Sequence, residues 1–406
     1  MPTASTRTTG SRSSSRVVEL PAALRALLEA GWALAGRAPS ARVGLARAAG
    51  LADPEALPRA IREPVMRELE AARAAACEPL DARTVERELK SAWGRAPGKA
   101  LDDFDPEPLA VRAAAQTHRG VAGGVPVAIR VRRPGLERAV RADLALLDAL
   151  AAPLGAALPK ADTRALLRAV REQTLDELDF EHEASTHRRV ARVLRDIDGL
   201  VVPRVHTELC AESVFTAGLL DGATLADGAR PKDARAAARA LVAAHVAAAQ
   251  AGVALLDARP GHVVVLSDGA IGLLGAGMAR PVDRDRAGMA LDTLAAVRGG
   301  DAGAFADAVA TAGVLPRDDA AAAHDLARSA LGPLAAGAAK LDAAALRGAV
   351  GRAGRSARDV FALVPRAQPL PDDIWLARGA GQLVVTLARL GATEDWPALV
   401  ASSAGR

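Results

Sequence analysis

Two short loops near the middle of this 406-residue chain carry residue types that chemistry needs: Asp257-Ala-Arg-Pro-Gly-His262 and Gly275-Ala-Gly-Met278. A carboxylate in a Pro/Gly-containing loop is a candidate general base, and the imidazole at the loop's far end is a candidate ligand for a divalent metal. The residues between the loops bring them together. His262-Val-Val-Val-Leu-Ser-Asp-Gly-Ala-Ile-Gly-Leu-Leu274 sets two apolar runs either side of an Asp268-Gly269 turn, the strongest short-range signal for a β-hairpin. A hairpin's ends meet, so Asp257 and Gly275 belong to one site. Phosphoryl transfer of the protein-kinase type places an acidic side chain on each of two such loops. This chain supplies Asp257 and, at 275, no side chain at all.

The surrounding elements follow from periodicity. From Pro21 to about Ala92, apolar residues at three- and four-residue spacing predict amphipathic helices broken near Pro39, Pro54 and Pro79. The pattern changes at Asp102-Asp-Phe-Asp-Pro-Glu-Pro108. Strand signals then run over Gln116 to Val121 and Val125 to Val131 across a Gly123-Gly124 turn, a hairpin expected to set Arg130 opposite Ala113-Ala114-Ala115. Asp162 and Thr163 offer an N-cap for one long helix through Arg195, followed by short strands at Val201 to Val205 and Ser213 to Leu220. After the Asp221-Gly222 turn the chain reads as helical apart from the central hairpin, with Ala240 to Leu256 a buried core helix. The expected fold is α+β: a two-lobed protein-kinase-like fold, predominantly helical, with a helical N-terminal extension. Its expected parts are a flexible tail (1–16), the extension (17–100), an N-lobe with a small sheet and long helix (101–220), and a helical C-lobe carrying the hairpin (221–400).

Composition removes several function classes. Half the residues are apolar and a quarter charged, which is globular rather than disordered. The net charge of +4 comes from Arg scattered among Asp and Glu, with no basic stripe and few aromatics, so nucleic acid is not an expected partner. Cys77 and Cys210 lie far apart with no CxxC, which supports neither a disulfide framework nor a zinc site. His118, His182 and His206 show no metal-ligand spacing. The apolar stretches Ala240 to Leu256 and Gly379 to Leu390 are interrupted or too short for a membrane span. The expected location is the cytoplasm, with room for peripheral contact with the inner membrane.

A family resemblance runs in order along about 350 residues. Phe104-Asp-Pro-Glu-Pro-Leu109, Ala115-Gln-Thr-His-Arg119, Val127-Ala-Ile-Arg-Val-Arg-Arg-Pro-Gly-Leu136, Glu177-Leu-Asp-Phe-Glu-His-Glu-Ala184, Asp257 with Pro260-Gly261, and Gly272-Leu-Leu-Gly-Ala-Gly-Met278 are in register. Pro371-Asp-Asp-Ile-Trp-Leu-Ala-Arg378 resembles a closing helix. Together they resemble the UbiB/AarF family of atypical protein-kinase-like proteins, associated with isoprenoid quinone biosynthesis and lipid homeostasis. The resemblance implies an ATP cleft with an Ala-rich loop in place of a Gly-rich one. Ala113, Ala114, Ala115, Gln116, Arg130, Glu177 and Glu183 would be its nucleotide-binding positions, with Asp257 catalytic. Six residues of helix set Glu177 and Glu183 about 120° apart, so both reach one cleft only if the helix bends or the cleft wraps round it; the motif match makes Glu183 the expected partner of Arg130.

The departures from the family pattern set the functional expectation. The family's phosphate-pairing Lys is Arg130, whose planar fork is not equivalent. The metal-binding Asn is His262, a poor ligand for hard Mg²⁺. The metal-binding Asp of the family's Asp-Phe-Gly is Gly275. The Lys-x-Gly-Gln motif survives only as Ala48-Ala-Gly-Leu51, the hinge acid is Gly218 and the loop Ser is Ala113. ATP is the cofactor the resemblance implies, but the lost ligands argue against Mg²⁺ in the usual two-ion mode. The expectation is a pseudokinase scaffold or regulator with a protein, lipid or quinone-pathway partner. Two alternatives stand beside it: an ATPase or phosphotransferase with Asp257 as base, Arg130 as phosphate clamp and His262 on a softer metal, and a lipid or quinone head-group binder.

Overall fold

The computed structural model describes residues 77–405 as a continuous stretch, together with scattered helical positions between 22 and 74. The tail, most of the expected N-terminal extension and Ala48–Leu51 lie outside the described residues.

Strand alternation builds the N-lobe. Helix α1 (Ala82–Trp93) starts at Asp81, whose carboxylate accepts from the Thr84 amide, and ends at Gly94 in the left-handed region. Strands β1 (Asp103–Val111), β2 (Ala115–Ala122) and β3 (Val125–Arg132) follow. Along β3, Val127, Ile129 and Val131 are fully buried against Val85 and Leu89 of α1, while Arg130 and Arg132 lie on the opposite face. Each fully buried aliphatic side chain contributes about 1.5–3 kcal/mol, so this cluster fixes which face of β3 is left for the cleft. Pro106 and Pro108 lie in β1, an edge strand whose pairing with β2 slips at Pro108. That tolerance exists because an edge strand can leave donor positions unpaired.

The expected long helix is two helices. Helix α2 (Thr163–Asp176) is capped by Asp162 as predicted. The chain then breaks, and the Asp179 carboxylate accepts from the amides of Glu181 and His182 to start helix α3 (Phe180–Leu194). Two further expectations shorten. Val201 to Val205 yields only strand β4 (Leu200–Val201) and a single bridge from Val205 to Ala217. Strand β5 (Val214–Gly218) completes the antiparallel sheet in the order β1-β2-β3-β5.

Strand β6 (Gly222–Thr224) leads into the C-lobe, whose core surrounds helix α4 (Ala234–Gln250). This helix stops before the expected Leu256. Gly252 turns at a φ of 76° and the chain continues as strand β7 (Val253–Leu255), because only glycine takes that backbone without strain. The predicted hairpin forms as β8 (Val263–Leu266) and β9 (Ile271–Leu273), with Val264 opposite Gly272 and a turn in which Gly269 has a φ of 93°. Strand β10 (Ala279–Pro281) returns antiparallel to β7. Helix α5 (Arg284–Gly299) and further helices follow, and helix α6 (Pro371–Leu390) closes the lobe. The protein is therefore a two-lobed, mostly helical α+β fold of the kinase-like type. Among the described residues, no helix is long and apolar enough to cross a membrane.

Candidate functional site

The hairpin does what its sequence demands and joins the two loops. A Cβ added to Gly275 would overlap the carbonyl oxygen of Asp257, so the second loop lies directly on the first. Helix α6 fixes the first loop from beneath. Thr386 Oγ1 donates to the Ala258 carbonyl at 2.6 Å, and Gly379 lets the helix approach the Leu255 carbonyl more closely than any side chain would allow. The second loop rests on α3, where a Cβ at Gly277 would stand 2.5 Å from Glu183 Cγ.

Asp257 is 4 % exposed and engaged on both sides. Arg259 Nε lies 3.2 Å from Oδ1, and His262 Nδ1 lies 3.1 Å from Oδ2 and 3.2 Å from the Asp257 carbonyl. The guanidinium of Arg259 also reaches His262 Nε2 at 3.0 Å. A guanidinium only donates, so Nε2 accepts, and the ring proton sits on Nδ1 and points at Asp257. Burial first, then the neighbouring Arg259, hold the imidazole below its ordinary pKa, which keeps it neutral at pH 7. Neither nitrogen has a lone pair left for a metal. Gly275 contributes none, and the Asp257 oxygens already face the Arg259 guanidinium and the His262 N–H. The donor set therefore does not fit a pair of Mg²⁺ ions, and among the described residues no cluster of three or more His, Cys, Asp or Glu is placed to hold a metal.

The opposite wall comes from the N-lobe. Arg130 pairs in register with Thr117 and Phe215, not with the Ala113–Ala115 loop; Ala115 lies diagonally on the same face, opposite Arg132. The loop itself is a tight turn closed by the Arg112 amide on the Ala115 carbonyl and pinned by the Arg133 amide on the Ala114 carbonyl. Arg130 forms an ion pair with Glu183, 3 % exposed, and its guanidinium lies over the rings of Phe180 and Phe215 at 4.3 and 4.8 Å. The break at Asp179 resolves the 120° separation, since Glu177 caps the end of α2 while Glu183 lies in α3, and both line the cleft. Glu177 is held by Arg378 of α6 at 2.7 Å and by the Gln173 amide at 3.3 Å.

Ala113, Ala114, Ala115, Arg130, Glu177, Glu183 and His262 thus converge on one cavity of about 250 Å³. Gln116 does not. Strand alternation turns it to the other face, where it is fully buried, accepts from the Leu80 amide at 2.8 Å and donates to the Leu80 carbonyl at 3.2 Å. Its amide also meets His118 Nε2 at 3.1 Å, while His118 Nδ1 donates to the Asp105 carbonyl. Gln116 is a structural clamp on the segment before α1. Sequence reasoning missed Arg259, Arg378 and the two phenylalanines. Arg259 and Arg378 both lie inside motifs already noted, and their basic character was the available signal.

The ABC1 atypical kinase-like domain matches residues 74–308, more than half of the chain. A probable protein kinase UbiB of Aeromonas hydrophila is 31 % identical over 154 residues, covering 37 % of this chain and 28 % of that protein. Its namesake in Pseudomonas putida is 33 % identical over 161 residues, covering 37 % and 30 %. The aligned region thus spans less than a third of each relative's length. Among solved structures, the erythromycin complex of Rv3197 from Mycobacterium tuberculosis superposes with a TM-score of 0.57 at 22 % identity, covering 88 % of this chain and 90 % of that one, a likeness of fold. With the domain match spanning both lobes and the two loops meeting under an Arg–Glu pair, the chain belongs to the ABC1 atypical kinase-like family, which includes the UbiB proteins.

Proposed function

We propose that this protein is a pseudokinase: a kinase-like fold that has lost metal-dependent phosphoryl transfer and serves as a scaffold or regulator. The observation that carries the reading is the capture of Asp257 between Arg259 and His262, opposite a Gly275 whose backbone leaves no room for a carboxylate. A general base must accept a proton from the incoming nucleophile. An aspartate whose oxygens already accept from a guanidinium and an imidazole N–H has its lone pairs engaged and turned from an incoming nucleophile. Two further charged pairs meet in the cleft, Arg130 with Glu183 and Glu177 with Arg378. The cavity of about 250 Å³ is also smaller than usual small-molecule sites, about 300–1,000 Å³. The names of the relatives and the resemblance support a setting in isoprenoid quinone or lipid metabolism, in the cytoplasm or at the inner-membrane surface.

Thermal unfolding with ATP or ADP, each with and without Mg²⁺ or Mn²⁺, tests the proposal. A nucleotide at a hundred times its dissociation constant would stabilise the fold by about 2.7 kcal/mol. The expected result is no metal-dependent shift. A shift that requires metal and disappears in Asp257→Asn or His262→Ala would instead establish the phosphotransferase reading, with Asp257 as base, Arg130 as clamp and His262 as ligand.

A further inference from the structure

A cavity of about 420 Å³ lies at the end of β3 and shares no lining residue with the cleft. Arg132, Arg133, Arg138 and Arg141 line it with guanidinium groups, against carboxylates only from Glu88 and Glu137. The local chain path explains the concentration of cations. Strand β3 ends at Arg132, the Pro134-Gly135 turn takes Gly135 to a φ of 75°, and the helix Leu136–Leu144 follows with Arg138 and Arg141 on one face. Apart from Pro134 and Gly135, every lining side chain is polar.

These charges do not balance. Glu137 is shared, 3.2 Å from Arg132 and 2.6 Å from Arg141, and Arg132 takes Glu212 at 2.9 Å as well. Glu88 lies 3.4 Å from Arg87, which is not part of the lining. Arg133 meets neutral oxygens: its Nε donates to the Arg112 carbonyl at 3.1 Å and its Nη2 to the Glu78 carbonyl at 2.5 Å. Arg138 has no carboxylate partner among the described residues. Burial pushes the Arg133 guanidinium below its ordinary pKa, and Cys77 and Glu78 offset that only in part. Arg133 and Arg138 are thus two cations without a hydrogen-bonded anion.

We propose that this cavity binds a phosphate monoester whose oxygens accept from Arg133 and Arg138. A monoester is close to a dianion at pH 7, so it supplies the negative charge that these cations lack. The guanidinium fork matches phosphate in a bidentate fashion that a point charge does not. The volume falls within the range of small-molecule sites, about 300–1,000 Å³, and the polar lining suits a hydroxylated body rather than an acyl chain. The site lies outside the cleft and stands whether or not phosphoryl transfer survives.

Calorimetric titration of the full chain with glycerol 3-phosphate and with dimethyl phosphate tests the charge requirement, and flotation with phosphatidylcholine vesicles with and without phosphatidate identifies the source of the monoester. Glycerol 3-phosphate is expected to bind about tenfold or more tightly than the singly charged diester. Arg138→Ala removes one guanidinium from an exposed position and should weaken glycerol 3-phosphate about tenfold or more, while Arg168→Ala, which removes an exposed cation from α2, leaves its affinity unchanged. Binding of glycerol 3-phosphate with no flotation on either vesicle is the expected result and assigns a soluble ligand. Flotation on phosphatidate vesicles alone, lost in Arg138→Ala, assigns the same monoester to a lipid headgroup. No binding of glycerol 3-phosphate or phosphatidate, equal affinity for the diester, or equal losses in Arg138→Ala and Arg168→Ala each overturn the proposal.

Discussion

Gly275→Ala is the sharpest test of the idea that the second loop has closed over the place of a lost ligand. An added methyl would overlap the Asp257 carbonyl oxygen and stand 2.9 Å from its carbon and 3.2 Å from His262 Nδ1, where ordinary contact begins near 3.4 Å. These obstacles cannot swing aside. One is backbone in a loop anchored by Thr386, and the other is a ring held by both Asp257 and Arg259. Overpacking costs typically about 1–3 kcal/mol, and rigid neighbours place this substitution near the upper end, about 3 kcal/mol. Gly98→Ala is the control: its Cβ meets nothing within 4 Å in a short helix, so its effect should stay within about 0.5 kcal/mol. Guanidinium denaturation with unchanged m-values reads both. Gly275→Asp, which restores the family's residue in name, should destabilise at least as much and gain no Mg²⁺-dependent ATP turnover. A Gly275→Ala protein as stable as the parent, or a turnover gain in Gly275→Asp, would refute the reasoning.

Three further outcomes follow from the same contacts. Glu183→Gln leaves the half-buried Arg130 cation unpaired and should cost about 2–3 kcal/mol, with Arg130→Met similar and the double variant costing less than the sum by about 1–3 kcal/mol; additive losses in denaturation would contradict a structural pair. His118, His187, His245 and His262 are all held below the ordinary histidine pKa, chiefly by burial. Because the unfolded chain takes up these protons first, their contribution is complete above about pH 6.5 and is lost as pH falls towards the folded values. With its folded pKa of about 4, His245 alone should account for about 2 kcal/mol of the stability lost between pH 7.5 and pH 5, a loss that His245→Phe removes; a flat profile in the parent would contradict this. Gln116→Ala strips hydrogen bonds from the Leu80 backbone and should cost about 1–3 kcal/mol without changing any nucleotide response. A changed nucleotide response would return Gln116 to the cleft.

Local chemistry made much of the fold legible. The β-branched runs around Asp268-Gly269 and Gly123-Gly124 specify hairpins by period and turn type, and both formed. Glu183 as partner of Arg130 was also readable from its motif. The break at Asp179 was not, because Leu-Asp-Phe-Glu keeps helical spacing and an aspartate caps a helix only if the preceding turn has already ended. The end of α4 at Gln250 was hidden by Ala, which carries little burial signal, so the single Gly252 decided it. Arg130 was placed opposite the wrong residues because the turn after β1 is tighter than the alanine run suggested. The cleft's most consequential contact, Arg259 on both Asp257 and His262, depends on side-chain direction within an irregular loop. No periodicity encodes that.

The replacements in the cleft are better understood together than singly. An exposed Asp257 beside a bare Gly275 would be a degraded active site, open to repair by restoring one ligand. Instead, on the pseudokinase reading proposed above, three charged positions that a nucleotide or metal would engage have protein partners: Arg130 has Glu183, Glu177 has Arg378, and Asp257 has Arg259 and His262. An unpaired buried charge costs several kcal/mol, so a cleft that stopped binding a highly charged ligand would be unstable until such pairs formed. Once formed, they oppose reversal, since any ligand must first break contacts that hold the lobes. Glu177 to Arg378 ties α2 to the closing helix, and Arg130 to Glu183 ties the sheet to α3. The charged centre of the fold is thus part of what holds it together. For this reason reintroducing a single family ligand should unfold the protein before it revives the chemistry.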